Sequence, residues 1–287
     1  SIGTNDYSIG LNQVYCGDRL ELPNHIKTYM PKGWKLNIQQ YLFGEGGRYI
    51  YVDGSGNRHT FEWLAKNQYY DTSGLGLILT NGEKSVISDQ YGNKMRFSDG
   101  VLVETESCHD DSSCKLYNYA DGKLVSVYDK RTPENKIEFI YDNESGLLRD
   151  IKVRQKNAED RKTYRFSYNF DDNFAKVQES AGVNGSSKSV AIFGYYADGR
   201  LFYAADAEDK SAIVFEYDAA DAENRVSKIK TGMLPDGFAS DAAMSDFKEK
   251  SSNLFVYEKK NGKVYRTLVT NEKGLTAVYY LNTNGIT

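Results

Sequence analysis

Reactive side chains are few in this chain and stand far apart. Its three histidines are His25, His59 and His109, and its three cysteines are Cys16, Cys108 and Cys114. The densest cluster is "CHDDSSC", which begins at Cys108 and sets His109 beside Asp110 and Asp111. A zinc-type centre needs three or four convergent ligands. This run offers them on one short segment, so a solvated loop is the plainer reading and no metal is expected. Cys108 and Cys114 leave two readings open, a small disulfide loop or a pair of free thiols, and an odd cysteine count is no disulfide framework. Acids number 40. A glycosidase needs only two, so abundance alone carries nothing. "DAADAEN", from Asp218, lacks the acid order and the glycine of a calcium loop. No nucleophile elbow, zinc-protease helix, phosphate loop or dinucleotide fingerprint occurs. His59 sits beside a hairpin tip and reads as an ordinary histidine. Neither an enzyme nor a cofactor is expected.

The elements that hold these residues are strands. The chain has 287 residues, 23 of them tyrosine, 25 glycine and 4 proline. Tyrosine favours strands, Asp-Gly and Asn-Gly favour tight hairpins, and proline interrupts ladders. Such pairs begin at Asp53, Asn81, Asp99, Asp121, Asn184, Asp198, Asp236, Asn261 and Asn284. A net charge of −4 gives no nucleic-acid footprint. No apolar run approaches the ~18 residues of a membrane helix.

One pattern recurs. "YNYADGKLVS" from Tyr117, "FIYDNESGLLRDI" from Phe139, "FGYYADGRLFYA" from Phe193 and "FEYDAADAENRVSKI" from Phe215 share an aromatic, an acid-rich turn and an aliphatic return. With weaker copies the aromatic anchors are Phe97, Tyr119, Tyr141, Tyr168, Tyr196, Tyr217, Tyr257 and Tyr280, spaced 22, 22, 27, 28, 21, 40 and 23 residues apart. That period fits one hairpin per repeat. Alternation puts Tyr164, Phe166 and Tyr168 on one face, as it does Ile213, Phe215 and Tyr217. The residues assigned to the repeat are Tyr119, Asp121, Gly122 and Leu124; Tyr141, Asp142 and Gly146; Tyr196, Asp198 and Gly199; and Tyr217 and Asp218. Their acids read as turn formers. The 40-residue interval leaves two readings open, a short helix near 239–250 or an irregular insertion.

The tyrosine–acid–glycine–aliphatic core at Tyr119–Leu124, Tyr141–Leu147 and Tyr196–Leu201 resembles the YD-repeat (Rhs-type) family. Residues 33–97, from "GWKLNIQQYLF" through "YVDGSGNRHTF" to "SVISDQYGNKMRF", resemble the lead-in that precedes such repeats. The resemblance implies an all-β fold of consecutive antiparallel hairpins in a curved, spiralling sheet, a partial β-shell. Residues 1–94 form its strand-rich lead-in and 95–287 its repeats, in one continuous architecture. It is expected to be a piece of a longer chain, and the piece is expected to be too short to close on itself. It also implies a secreted or cell-surface bacterial protein whose partner is the rest of its own shell.

Three functions follow as expectations. The first is a non-enzymatic scaffold that encapsulates a C-terminal toxin or serves surface display. The second is a glycan-binding adhesin, with Trp34 and Trp63 as the aromatic platform and a cell-surface glycan or protein as partner. The third is a carbohydrate-active enzyme. Open strand edges are expected, and with them self-association.

Overall fold

A computed structural model describes residues 11–17, 20–108, 114–155, 158–169 (158–161 by backbone only), 171–181, 185–219, 221, 223–235 and 247–281. These residues hold 23 strands and no α-helix. The fold is therefore all-β, as the alternation predicts. Of the segment where a short helix was one reading, residues 239–246 lie outside the described residues, and 248–250 begin a strand. The chain divides into two compact units, 1–165 with 180–186, and 166–179 with 187–287.

In the first unit, β1 (Gln13–Tyr15) and β2 (Trp34–Leu36) form a two-stranded sheet. Eight strands follow: β3 (Tyr41–Glu45), β4 (Arg48–Val52), β5 (Arg58–Ala65), β6 (Gln68–Asp71), β7 (Ile78–Thr80), β8 (Ser85–Ser88), β9 (Lys94–Ser98) and β10 (Val101–Glu106). Each pairs antiparallel with the next. Val101 of β10 then pairs with Tyr41 of β3. Two further bonds flank that pair, from Leu42 N to Gly100 O at 3.0 Å and from Leu102 N to Gln40 O at 3.1 Å. The lead-in thus closes into a ring, where the sequence predicts an open strip. Residue 94, the end of the lead-in expected from the sequence, is the first residue of β9.

The strand registers place Leu42, Tyr51, His59, Phe61, Leu79, Ile87, Phe97 and Leu102 on one common face. Phe61, Leu79, Ile87 and Leu102 are 0% exposed. Tyr51 of β4 meets Phe97 of β9 edge to face at 5.9 Å, so the ring is filled by side chains. The opposite face is also apolar. Tyr41, Phe43, Ile50, Val52 and Val101 pack against Leu20, Leu22 and Ile26 of the lead-in segment. "RYIYV" therefore shows no polar alternation, because both of its faces are buried. Successive strands run in opposite directions. Tips 45–48, 65–68 and 81–84 lie at one end of the ring, and loops 53–57, 71–77 and 89–93 at the other.

From β10 the sheet continues through β11 (Cys114–Ala120), β12 (Lys123–Asp129), β13 (Lys136–Tyr141), β14 (Leu148–Gln155) and β15 (Ala158–Tyr168). The second unit holds the end of β15 and β16 (Phe174–Ala181), β17 (Ser187–Tyr195), β18 (Leu201–Asp206), β19 (Ser211–Tyr217), β20 (Val226–Met233), β21 (Lys248–Lys260), β22 (Lys263–Asn271) and β23 (Thr276–Tyr280). Strands β17 to β23 pair antiparallel in sequence order. One core there gathers Tyr203, Ala205, Ala212, Val214 and Leu234.

Two turn chemistries build the hairpins. Asp99-Gly100, Asp121-Gly122 and Asn261-Gly262 have both central residues at positive φ, the two-residue turn that their sequence predicts. The pair at Asp53 differs. Its loop spans Asp53–Asn57, with positive φ on Gly56 rather than Gly54, a type I turn followed by a bulge. The loops that begin at Asp89 and Asn271 repeat this form, with Gly92 and Gly274 at positive φ.

Candidate functional site

The polar side chains of the first unit converge on loop 53–57. Lys35 is 0% exposed. Its Nζ donates to Asp53 O and Gly54 O, both at 2.9 Å. Burial pushes its pKa down to about 8. Cys16 lies against the same loop, and a Cβ on Gly56 would come within 2.2 Å of its Sγ. Burial raises the Cys16 thiol. The Asp53 carboxylate organises the loop from within. Oδ1 accepts from Ser55 N at 2.8 Å and Asn57 N at 2.9 Å, and Oδ2 from Asn57 Nδ2 at 3.1 Å. Burial works to raise its pKa, but hydrogen bonds from His59 and Asn57 outweigh that and hold it at about 2.

His59 bridges this loop to the next one. Its Nε2 is 2.9 Å from Asp53 Oδ2 and its Nδ1 is 2.9 Å from Ser73 Oγ. Ser73 Oγ in turn donates to Asp71 Oδ1 in a short hydrogen bond. Asp71 also accepts from Ser73 N at 3.0 Å and Leu75 N at 2.7 Å. Serine, histidine and aspartate in contact invite comparison with a hydrolytic triad. The serine is turned differently here: its hydroxyl donates to Asp71, not to the imidazole that would have to take the proton of a nucleophile. The arrangement ties loops 53–57 and 71–75 to each other and to the lead-in strand β2.

The repeat residues form a second kind of site, a clamp between neighbouring hairpins. Tyr141 Oη donates to Leu124 O at 2.8 Å, Tyr217 Oη to Leu201 O at 2.9 Å and Tyr257 Oη to Val226 O at 2.8 Å. Each accepting carbonyl belongs to the aliphatic residue that opens the return strand. The residue before that aliphatic is a cation over the same tyrosine ring. Lys123 lies 5.3 Å from Tyr141, Arg200 4.6 Å from Tyr217 and Arg225 5.5 Å from Tyr257. A second tyrosine completes two of the clamps. Tyr29 meets Tyr141 at 5.8 Å with Lys123 5.3 Å from its ring, and Tyr196 meets Tyr217 at 5.9 Å with Arg200 5.7 Å away.

The acids do different work in different copies. Asp121 sits in its turn at positive φ, with Gly122 beside it. Asp142 Oδ1 accepts from Glu144 N and Ser145 N, and Gly146 N closes the turn onto Asp142 O at 3.0 Å. Asp198 accepts from Arg200 N at 3.0 Å and pairs with its guanidinium at 2.6 Å, with Gly199 at positive φ. Asp218 N donates to Arg225 O at 3.2 Å. The Tyr119 hydroxyl is buried and has no hydrogen-bond partner among the described residues.

The remaining candidates separate. Trp34 is 3% exposed and packs on Tyr15 at 5.1 Å, so it is a core residue and no glycan platform. Trp63 is 67% exposed. Cys108 and Cys114 are free thiols, and the bridge between them is not formed. Cys114 Sγ donates to Glu104 Oε1 at 3.3 Å, and burial, then Glu104, raises its pKa to about 11. His25 is exposed. His109 lies outside the described residues. Among the described residues, no three His, Cys, Asp or Glu side chains gather where they could hold a metal ion. Lys35, Cys16, Asp71, Ser73 and Tyr29 are not singled out by the sequence. The available signal was the spacing of Asp53, Asp71 and Asp89, each followed three residues later by glycine.

No family model and no curated protein matches the chain. Solved structures with a detectable likeness include the crystal structure of TcdB2-TccC3-TEV, with 11% identity and a TM-score of 0.32 over 88% of this chain and 14% of that one. A Photorhabdus luminescens Tc holotoxin pore gives 10% identity and a TM-score of 0.22 over 82% and 16%. A porin-like protein from Bacteroides uniformis gives 7% identity and a TM-score of 0.30 over 84% and 94%. The chain thus spans about one seventh of the first of these proteins.

Proposed function

We propose that this chain is a non-enzymatic scaffold segment of a YD-repeat β-shell, in a secreted or cell-surface bacterial protein. Its partner is the remainder of that shell, and its task is to enclose a cargo segment or to hold a surface-displayed one. The observation that carries the reading is the clamp. Three times, a cation and a backbone carbonyl at the start of one return strand hold a tyrosine of another hairpin. This uses the clamp tyrosines for construction, their hydroxyls and rings held by a neighbouring strand, and the acids Asp142 and Asp198 to close their own turns. The His59 network adds a second lock of the same structural kind.

The test takes the full natural polypeptide that carries this chain. Limited proteolysis, read by mass spectrometry, should find a segment that is cut only after the shell is denatured, and electron microscopy should find a hollow particle. Uniform cleavage of every segment removes encapsulation, and display is then decided by labelling intact cells. Turnover of a glycoside that is lost on removing two carboxylates of this chain would overturn the scaffold reading itself.

A further inference from the structure

The two ends of the ring differ. One carries the buried His59 network, while the other leaves an aromatic cluster in water. Trp63 is the register partner of Tyr69, and Tyr69 of Leu79, so these side chains share the inner face at the ring's mouth. The register shifts just after Trp63, and the indole is 67% exposed. Tyr49 meets Tyr69 edge to face at 4.8 Å. Its hydroxyl accepts from Asn81 Nδ2 at 2.6 Å, and Asn81 Oδ1 accepts from Ser85 Oγ at 2.9 Å. The Tyr69 hydroxyl has no hydrogen-bond partner among the described residues. Asn81 keeps a second amide hydrogen and a second lone pair for another partner.

We propose that this mouth is a binding site for a neutral hexopyranose unit of a polysaccharide. A pyranose is apolar on its C–H face and polar around its rim. Trp63 offers a face for the first, and Asn81 and the Tyr69 hydroxyl offer donors and acceptors for the second. The tips around the mouth carry Arg48, Lys66 and Lys84 against Glu45 and Glu83, with Glu62 beside them. Arg48 and Glu62 pair at 3.1 Å, and Tyr70 Oη donates to Glu62 at 3.3 Å, so the two signs are interspersed and no basic patch awaits an anionic chain. An apolar protein or lipid partner fits less well, because hydroxyl and amide groups edge the aromatic rings.

Affinity electrophoresis of the folded chain in gels containing laminarin, mannan or hydroxyethyl-cellulose tests the site, with heparin as the anionic probe. The two tryptophans make fluorescence a second readout, since buried Trp34 is an internal reference and only Trp63 faces solvent. At least one neutral polysaccharide should retard migration and shift the Trp63 emission to the blue. Trp63→Ala should weaken retardation at least about tenfold, and Tyr69→Phe a few-fold. Circular dichroism should show both variants folded, because neither change empties the core. Absence of retardation by all three neutral polymers, retention of binding in Trp63→Ala, or retardation by heparin alone overturns the proposal. Any of these leaves the scaffold reading standing, since that rests on the tyrosine clamps.

Discussion

Asp53 commits both carboxylate oxygens, one to its own loop and one to His59 and Asn57. Its folded pKa of about 2 lies below the ordinary 3.8, so the stability it supplies is present above about pH 4 and is lost as pH falls through about 2. That linkage is worth about 2 kcal/mol. Asp53→Asn should cost about 1–3 kcal/mol near neutrality and approach wild type near its folded pKa. Urea denaturation across this acid range checks it, and a constant difference between the two proteins would contradict the assignment. Lys35 is displaced in the opposite sense. Its folded pKa is about 8 against an ordinary 10.5, so between these values the unfolded chain binds more protons and wild type gains stability as pH rises. The gap between wild type and Lys35→Met should therefore move in favour of wild type from about pH 8 to about pH 10, as read by chemical denaturation.

At the scale of elements, the clamp makes three hairpins each depend on another for one partly buried hydrogen bond. Tyr141→Phe, Tyr217→Phe and Tyr257→Phe should each lose about 1 kcal/mol. Arg200→Ala with Tyr217→Leu should show a coupling of about 0.5–1 kcal/mol, because only loss of the ring removes its contact with the cation, while Tyr141→Phe with Tyr217→Phe should be additive. Thermal and urea melts decide both, and additivity of the Arg200 and Tyr217 changes would dissolve the clamp. The hairpins themselves were legible in the sequence, because period-two alternation and Asp-Gly chemistry are local signals. A dipeptide alone did not fix turn type. Asp99-Gly100 and Asp53-Gly54 are the same pair, yet the glycine at position 56 makes the second a longer loop. Trp34 and Trp63 likewise look equivalent in sequence, and only packing against Tyr15 separates them. The His59 network joins residues from four separate stretches, between Cys16 and Ser73; the acid and glycine spacing marks the loops at Asp53 and Asp71, and nothing local marks Cys16 or Lys35 as their partners.

At the scale of the molecule, the last strand among the described residues is open on both faces. All five residues of β23 are exposed, with Val278 at 44% and Tyr280 at 63%. An exposed apolar strand of this kind pairs readily with another strand. Val278→Lys with Tyr280→Lys should therefore suppress self-association, as measured by light scattering over a concentration series. Equal scattering from wild type and variant would show that this edge plays no part.

The ring of the first unit is sealed by one residue pair, Val101 with Tyr41, and the two bonds beside it. Its other ladders are longer. Such a seam behaves as a hasp on an otherwise stitched cuff, the place where breathing begins. Amide hydrogen exchange at Leu42 and Leu102 should run ahead of exchange at Phe61, Leu79 and Ile87. Tension along the lead-in would be felt at the hasp before it reached any hairpin.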